Sequence, residues 1–287
     1  MAPLPPYSYA SVPLILVSLW HAICSSNSYG RSSTLFHARS WHPLPRLRYG
    51  ELLAETLALV AAAVYHGFTV FGTQSGSETQ ILGLQQLVML VFFIVVFFLI
   101  LVNESTLAFS LPQDFNFLLL GFSFSVESFV AVCSATDPNL LFELESFRIL
   151  AALAGFSALT CFLLAWKPVS FMVSITFSAS LALQGSWLLQ MGLSLYSDEF
   201  LPEGCHHLSN GHTQCDIAVA DHRAVALMDL LLIIHIICIL LVFVAAYGIS
   251  YRKPGHTRRH SGYEFVDGNG EVDQLQMRQL PTKVVID

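Results

Sequence analysis

Several ionisable and amide side chains of this chain lie within long apolar stretches, where an unpartnered polar group is costly. Glu127 and His235 lie deepest, about 18 Å and about 16 Å from the starts of their stretches at 1.5 Å per helical residue. A carboxylate and an imidazole at that depth are what a proton, metal or polar-ligand site requires. Three amides complete the predicted polar cluster: Gln184 at a similar depth, and Gln86 and Gln190 a few turns further toward the outside.

This polar cluster has two interpretations. In the first, its side chains satisfy one another and fix helix packing, as polar residues commonly do in membranes. In the second, they line a pocket for a small ligand or a metal ion, with His66 as a third metal ligand beside Glu127 and His235. The sequence leaves both open and predicts no catalytic residue.

A further group of polar residues lies in the second apolar stretch. Glu51 and Glu55 are one helical turn apart, and His66 points to nearly the same side. His66 lies some 16 Å further along the helix, so these three do not form one site by themselves. We expect Glu51 to lie in water at the membrane interface and Glu55 to pair with Arg46 or Arg48.

The composition is that of an integral membrane protein. Of 287 residues, 54% are hydrophobic and 11% charged, whereas soluble domains carry about 25% charged residues. A span needs about 20 apolar residues, and we predict an all-α, polytopic domain of seven transmembrane helices in residues 1–251. These helices lie near 10–26, 51–71, 81–102, 115–134, 147–166, 169–196 and 224–251.

The basic residues predict how the spans are oriented. With the N-terminus outside, 11 of the 13 Lys and Arg residues fall in inner segments, and only Arg148 and Arg223 lie outside. Because cytosolic loops carry an excess of Lys and Arg, we predict an outer N-terminus and a cytosolic C-terminus. No Lys or Arg precedes Ala10, so the first helix is not expected to be a cleaved signal peptide. The sequence does not distinguish a location in the plasma membrane from one in an endomembrane.

The segment 252–287 is polar and glycine-containing, and we predict a disordered cytosolic tail. It begins with a basic patch: Arg252, Lys253, Arg258 and Arg259. Such a patch suits anionic lipid headgroups, at about 1 kcal/mol per residue, and serves equally well as a stop-transfer anchor. The lipid bilayer is therefore the predicted partner. No feature of the sequence favours binding to nucleic acid. The sequence leaves open whether the protein forms a homo-oligomer.

Two cysteines enclose the stretch "CHHLSNGHTQC" in the predicted outer connection between helices six and seven. Cys205 and Cys215 face an oxidising compartment in this topology, where two such thiols usually pair, and we predict a disulfide. The rival is a metal site from the two thiolates with His206, His207 and His212. Its spacing matches none of the usual zinc patterns.

Helix six carries small residues along one side. Ser174, Ser178, Gly185 and Gly192 recur at spacings of four, seven and seven, which keeps them within about 40° of one another on a helix. Small residues let helices approach closely in a membrane, so this side is predicted to touch another helix. Gln184 and Gln190 flank it.

Six short motifs support a family resemblance: "SLWH", "GELLAET", "LQQLVMLVFF", "SVESF" with Glu127, "LQGSWLLQMG" and "DLLLIIH" with His235. With them, the chain resembles the transmembrane protein 45 family of plants and animals from about Leu14 to Tyr251. The resemblance implies a metal or proton site with histidines in helix three and after the glutamate of helix four. In this sequence Gln86 stands where the histidine of helix three is expected, and the stretch "AVCSATDP" after Glu127 contains no histidine. If relatives use those ligands, Glu127 and His235 remain as structural remnants.

The sequence thus predicts a non-enzymatic multi-pass membrane protein whose polar cluster packs helices or binds a small ligand. One alternative is an intramembrane metal-binding protein, or a metal-dependent hydrolase-like enzyme, that uses Glu127 and His235. A second is a transporter or receptor, although the chain lacks the inverted repeat typical of transporters. The sequence requires no cofactor, and it leaves open whether the protein binds a metal ion. The resemblance to plant proteins loosely suggests a role in stress or defence responses.

Overall fold

A computed structural model describes residues 6–44, 47–72, 78–106, 112–134, 140–208 and 212–251. Within these ranges the chain forms seven α-helices, a 3-10 turn at Asp198–Phe200 and a β-hairpin. The helices are α1 (Pro6–Arg31), α2 (Gly50–Phe71), α3 (Glu78–Ser105), α4 (Gln113–Ser134), α5 (Leu141–Trp166), α6 (Phe171–Tyr196) and α7 (Ala218–Tyr251). The strands are β1 (Cys205–His207) and β2 (Thr213–Cys215). The predicted tail and its basic patch lie outside the described residues.

The seven helices of the described ranges are long and apolar enough to cross a membrane, which confirms the predicted all-α, seven-span fold. Several extend beyond the predicted spans: α1 continues to Arg31, α5 begins at Leu141 and α7 begins at Ala218. A hydropathy pattern ends where polar residues begin, whereas a helix continues into the interface because its backbone hydrogen bonds are internal. The orientation of the spans stays a prediction.

Helix α6 lies at the centre of the bundle. It packs against α1, α5 and α7, while α4 packs on α3 and α5, and α2 packs on α1 and α3. Trp187 of α6 is fully buried, and its Nε1 donates a hydrogen bond to the backbone oxygen of Ser146 in α5 at 3.2 Å. In contrast, α7 exposes large apolar side chains such as Leu240 and Leu241. Such a surface is suited to lipid contact.

The small-residue side of α6 lies against α1. A Cβ built on Gly185 would be 3.0 Å from the backbone oxygen of Ser11 and 3.0 Å from Leu14 Cβ. Further along the same contact, Ser174 Oγ lies 3.1 Å from Ser25 Oγ. The close helix contact that the spacing predicts is therefore the contact between α6 and α1.

The β-hairpin closes the connection between α6 and α7. β1 and β2 pair antiparallel with Cys205 opposite Cys215, and these two cysteines form a disulfide. A disulfide leaves no thiolates for the rival metal site. His206 and His207 instead lie 3.0 Å and 3.4 Å from the carboxylates of two different residues, Asp216 and Asp198.

Two contacts attach the hairpin to helix ends. Thr213 Oγ1 donates a hydrogen bond to the backbone oxygen of Leu195 in α6 at 3.0 Å. His212 Nδ1 lies 3.1 Å from Glu143 Oε1 at the start of α5. The hairpin therefore covers this end of α5 and α6.

The connection between α1 and α2 folds over the opposite end of the bundle. We call residues 32–49 the α1–α2 loop. Ala38 N donates a hydrogen bond to Pro168 O at 2.7 Å, which ties the loop to the turn between α5 and α6. Phe36 and Trp41 are buried, and the Trp41 ring lies 5.8 Å from that of Tyr49 between centroids. These apolar contacts hold the loop over the ends of α1 and α2.

Candidate functional site

The structure joins two members of the predicted polar cluster. Gln184 Nε2 in α6 donates a hydrogen bond to Glu127 Oε1 in α4 at 2.6 Å. Ser157 Oγ in α5 is within 3.2 Å of Gln184 Oε1 and donates to it. Gln184 is only 1% exposed, so both ends of its amide have partners in other helices. This arrangement is the packing interpretation of the cluster, realised among α4, α5 and α6.

The other predicted site residues have different partners. His235 Nδ1 lies 3.0 Å from Ser186 Oγ, and Gln190 Nε2 donates to Ser194 Oγ at 2.8 Å. His66 Nε2 donates to the backbone oxygen of Gly83 at 3.1 Å, which links α2 to α3. Gln86 is half-buried in α3. Glu127, His235 and His66 are not among the residues whose ligand atoms the structure gathers into a metal-sized group.

Replacing Gln184 with leucine should lower the free energy of unfolding by about 1–2 kcal/mol, because Glu127 and Ser157 lose a buried partner. The loss in the Glu127→Leu, Gln184→Leu double variant should be smaller than the sum of the two single losses, by about 1 kcal/mol. Reversible unfolding in mixed detergent micelles measures both. Gln190→Leu is the matched control, since Gln190 bonds within its own helix. Equal losses for Gln184→Leu and Gln190→Leu would contradict the prediction.

A second polar site surrounds Glu51, at the first turn of α2. Its Oε1 lies 2.6 Å from His21 Nε2 in α1. Its Oε2 accepts two hydrogen bonds of 2.8 Å, from Trp20 Nε1 and from the backbone N–H of His42. Glu51 is 6% exposed and His21 is 3% exposed. A single buried carboxylate thus joins α1, α2 and the α1–α2 loop.

The expected position of Glu51 in water is therefore wrong. Hydropathy places Glu51 at the end of its span, where a carboxylate normally meets solvent. Here the α1–α2 loop folds back over it, and Trp20 and His21 approach from α1. The first turn of a helix also favours a carboxylate, because its free N–H groups carry partial positive charge.

Glu55 lies one turn further along α2 and brings a second carboxylate to the site. One ligand atom each from His21, Glu51 and Glu55 lies within 4.8 Å of the other two. The expected partner Arg46 is outside the described residues, and the Arg48 guanidinium lies 5.3 Å from the Tyr49 ring centroid. Among the described side chains, Glu55 forms no ion pair. The ionisable groups that the structure places beside Glu55 are thus His21 and Glu51.

The imidazole of His42 lies beside this group. Its ring centroid is 5.0 Å from that of His21, edge to face at 77°. His42 is 8% exposed, and its Nε2 has no hydrogen-bond partner among the described residues. Burial, with His21 and Arg39 nearby, lowers the pKa of His42 to about 3. The ring is therefore neutral at physiological pH.

His21, Glu51 and Glu55 could together hold a metal ion, and their two carboxylates lie close enough to repel each other. Two carboxylates in so small and buried a space repel each other unless a proton or a cation lies between them. The basic group that contacts Glu51 is the imidazole of His21. Imidazole nitrogen and carboxylate oxygen together are ligands that Zn²⁺ and other first-row divalent ions accept. The cluster of His21, Glu51 and Glu55 is hereafter the His–Glu cluster.

The sequence analysis identified two members of this cluster, Glu51 and Glu55, but did not predict that they meet His21. The spacing of Glu51 and Glu55 marks one face of α2, and His21 is the last residue of the motif "SLWH" in α1. The metal hypothesis from the sequence named Glu127 and His235 instead, because both lie near the middle of their spans. The missing information was which helix packs beside α2, and that the α1–α2 loop turns back onto its first turn.

The second half of the chain is similar to a known family. Residues 113–248 match DUF716, a family of unknown function. The match spans a little under half of the 287 residues, from the start of α4 into α7. DUF716 is the family of the transmembrane protein 45-like proteins. Comparison with curated proteins gives no match.

The DUF716 match contains one of the two polar sites. Glu127, Gln184 and His235 lie inside the matched residues. The His–Glu cluster and His42 lie before them, in α1, α2 and the loop between. DUF716 therefore carries no functional information about the His–Glu cluster, whose chemistry follows from its geometry alone.

Proposed function

We propose that this seven-helix membrane protein binds a divalent metal ion through His21, Glu51 and Glu55, as a metal-binding protein rather than an enzyme. The observation that supports the proposal is the gathering of three ligand atoms, from two helices, within 4.8 Å of one another. His21 and Glu51 are buried and Glu55 is partly buried, and a proton or a cation between two such carboxylates removes their repulsion. A divalent ion supplies that positive charge.

Small movements would convert the hydrogen-bonded cluster into a coordination sphere. Zn²⁺ holds nitrogen and oxygen ligands at about 2.0–2.2 Å, which places two tetrahedral ligands about 3.3 Å apart. His21 Nε2 and Glu51 Oε1 are 2.6 Å apart, so they separate slightly. The Glu55 oxygen, which lies within 4.8 Å of both, moves to the same spacing. Both shifts are within the range that side-chain rotation provides.

Metal analysis of the full-length chain tests the proposal. Protein purified in detergent, stripped with a chelator and titrated with Zn²⁺ should take up one ion per chain. Glu55→Gln should weaken the affinity at least about tenfold, because it removes a ligand charge while keeping the side-chain shape. Glu55 is the best residue to change, since its side chain forms no ion pair among the described residues.

His235→Ala and Glu127→Gln are the matched controls. Both remove ionisable groups from the apolar bundle outside the His–Glu cluster, so they should leave zinc uptake unchanged. Zinc lost in His235→Ala and kept in Glu55→Gln would overturn the proposal and restore the Glu127 and His235 hypothesis. Absence of stoichiometric zinc in the unmodified protein would overturn both.

We further infer that the whole chain, beyond its DUF716 match, is a member of the transmembrane protein 45 family. Three of the motifs that support the resemblance precede residue 113: "SLWH", "GELLAET" and "LQQLVMLVFF". The first two contain His21, Glu51 and Glu55. An alignment of relatives tests this inference, because relatives that align over α4 to α7 but lack these motifs would contradict it.

A further inference from the structure

We propose that His42 supplies the fourth ligand, through its Nε2, so that the α1–α2 loop closes the metal site into a four-coordinate one. This inference rests on the proposed metal binding at the His–Glu cluster. It concerns a residue outside the group of three, and it decides which class of metal site the protein contains.

The first observation is the state of the His42 ring. A buried imidazole nitrogen normally has a hydrogen-bond partner, and one without a partner calls for an explanation such as a bound ion. His42 Nε2 is buried and has no partner among the described residues. A metal ion satisfies such a nitrogen, since Nε2 is a common ligand atom of histidine.

The second observation is where this ring is held. The backbone N–H of His42 bonds to Glu51 Oε2 at 2.8 Å, so the residue is fixed to one of the ligands itself. Its ring centroid is 5.0 Å from that of His21. The final bond to histidine rings is a broad torsion with low barriers. A ring rotation can therefore turn Nε2 of His42 toward the cluster while the backbone N–H stays bonded to Glu51.

The third observation is the anchoring of the loop just before His42. Ala38 bonds to Pro168 at 2.7 Å, and Trp41 is buried against Tyr49. The segment from Ala38 to His42 can therefore stay in place while the His42 ring turns toward the metal. The same contacts cover the site, so the loop both provides a ligand and excludes solvent.

Four protein ligands imply a particular class of site. Catalytic zinc sites have three protein ligands and an open position for water or substrate, whereas structural sites are closed by four. A site formed by His21, His42, Glu51 and Glu55 belongs to the closed class. This assignment is why we favour metal binding over hydrolase-like chemistry in this protein.

Cobalt substitution tests the inference, because Co²⁺ replaces Zn²⁺ and its visible absorption reports coordination number. The full-length protein loaded with one equivalent of Co²⁺ should show the intense visible band of tetrahedral, four-coordinate cobalt. In His42→Ala the band should weaken several-fold, and the affinity should fall by at least about tenfold. The stoichiometry should stay at one ion, held by the remaining three ligands.

His37→Ala is the control within the same loop. His37 is exposed and lies 3.4 Å from Asp114, away from the His–Glu cluster. Its cobalt spectrum should match that of the unmodified protein, and unchanged far-ultraviolet circular dichroism would show that both variants are folded. If the unmodified protein binds Co²⁺ and His42→Ala keeps its spectrum and affinity, the fourth-ligand inference is wrong while the three-ligand proposal stands. If the unmodified protein binds no Co²⁺, the metal proposal itself fails.

Discussion

Replacing Glu51 with leucine lowers the free energy of unfolding of the metal-free protein by about 3–5 kcal/mol, the largest loss that we expect from one substitution. The change leaves Trp20 Nε1, His21 and the backbone N–H of His42 without their common acceptor. Each buried donor without a partner costs about 1–3 kcal/mol. The loss is measured by reversible unfolding in mixed detergent micelles with a chelator present.

Two variants control for this effect. Glu55→Gln changes a carboxylate one turn away on the same helix, and without metal it should not lower the stability, because it removes the repulsion between the two carboxylates. Glu51→Gln keeps one oxygen acceptor and should show an intermediate loss. If Glu51→Leu were no more destabilising than Glu55→Gln, the hydrogen bonds around Glu51 would not hold α1, α2 and the α1–α2 loop together.

Replacing Gly185 with leucine should destabilise the protein by about 3 kcal/mol, at the upper end of the usual cost of overpacking. A Cβ at this position would already lie 3.0 Å from a backbone oxygen and two side-chain carbons of α1. A backbone atom cannot rotate away, so α1 and α6 must separate. The hydrogen bond between Ser25 and Ser174 would then lengthen or break. Thermal unfolding in detergent measures the loss.

Gly248 provides the matched comparison. It lies in α7, and nothing is within 4 Å of a Cβ built on it. Gly248→Leu should therefore be neutral or slightly stabilising, since leucine has a higher helix propensity than glycine. An alanine at position 185 should cost about 1 kcal/mol, less than leucine. Similar stabilities for Gly185→Leu and Gly248→Leu would show that the contact between α1 and α6 tolerates larger side chains.

The two polar sites differ in whether their side chains find partners within the protein. The pair of Glu127 and Gln184 has partners in three helices and needs no ligand to be satisfied. The His–Glu cluster brings two carboxylates together, and beside it His42 Nε2 has no hydrogen-bond partner among the described residues. The first site is satisfied by contacts between helices, whereas the second is the place where we propose that a cation binds.

Local patterns in the sequence were sufficient for the helices and for one contact surface. Apolar runs predict each of the seven helices, because a span must bury about 20 residues in hydrocarbon whatever it packs against. The spacing of Ser174 and Gly185 predicts that one side of α6 touches another helix. Such periodicity is a property of one helix alone, so it can be read without knowing the partner.

Contacts between helices distant in the chain could not be predicted in the same way. The sequence by itself determined the class of protein, the number of spans and the polar residues that need partners. Only the tertiary structure decided that Glu127 meets Gln184 rather than His235, and that His21 and His42 meet Glu51. The physical reason is that hydrogen-bond partners in a membrane bundle depend on which helices are neighbours and at what depth. The seven apolar helices have similar outer surfaces, so hydropathy does not distinguish one neighbour from another.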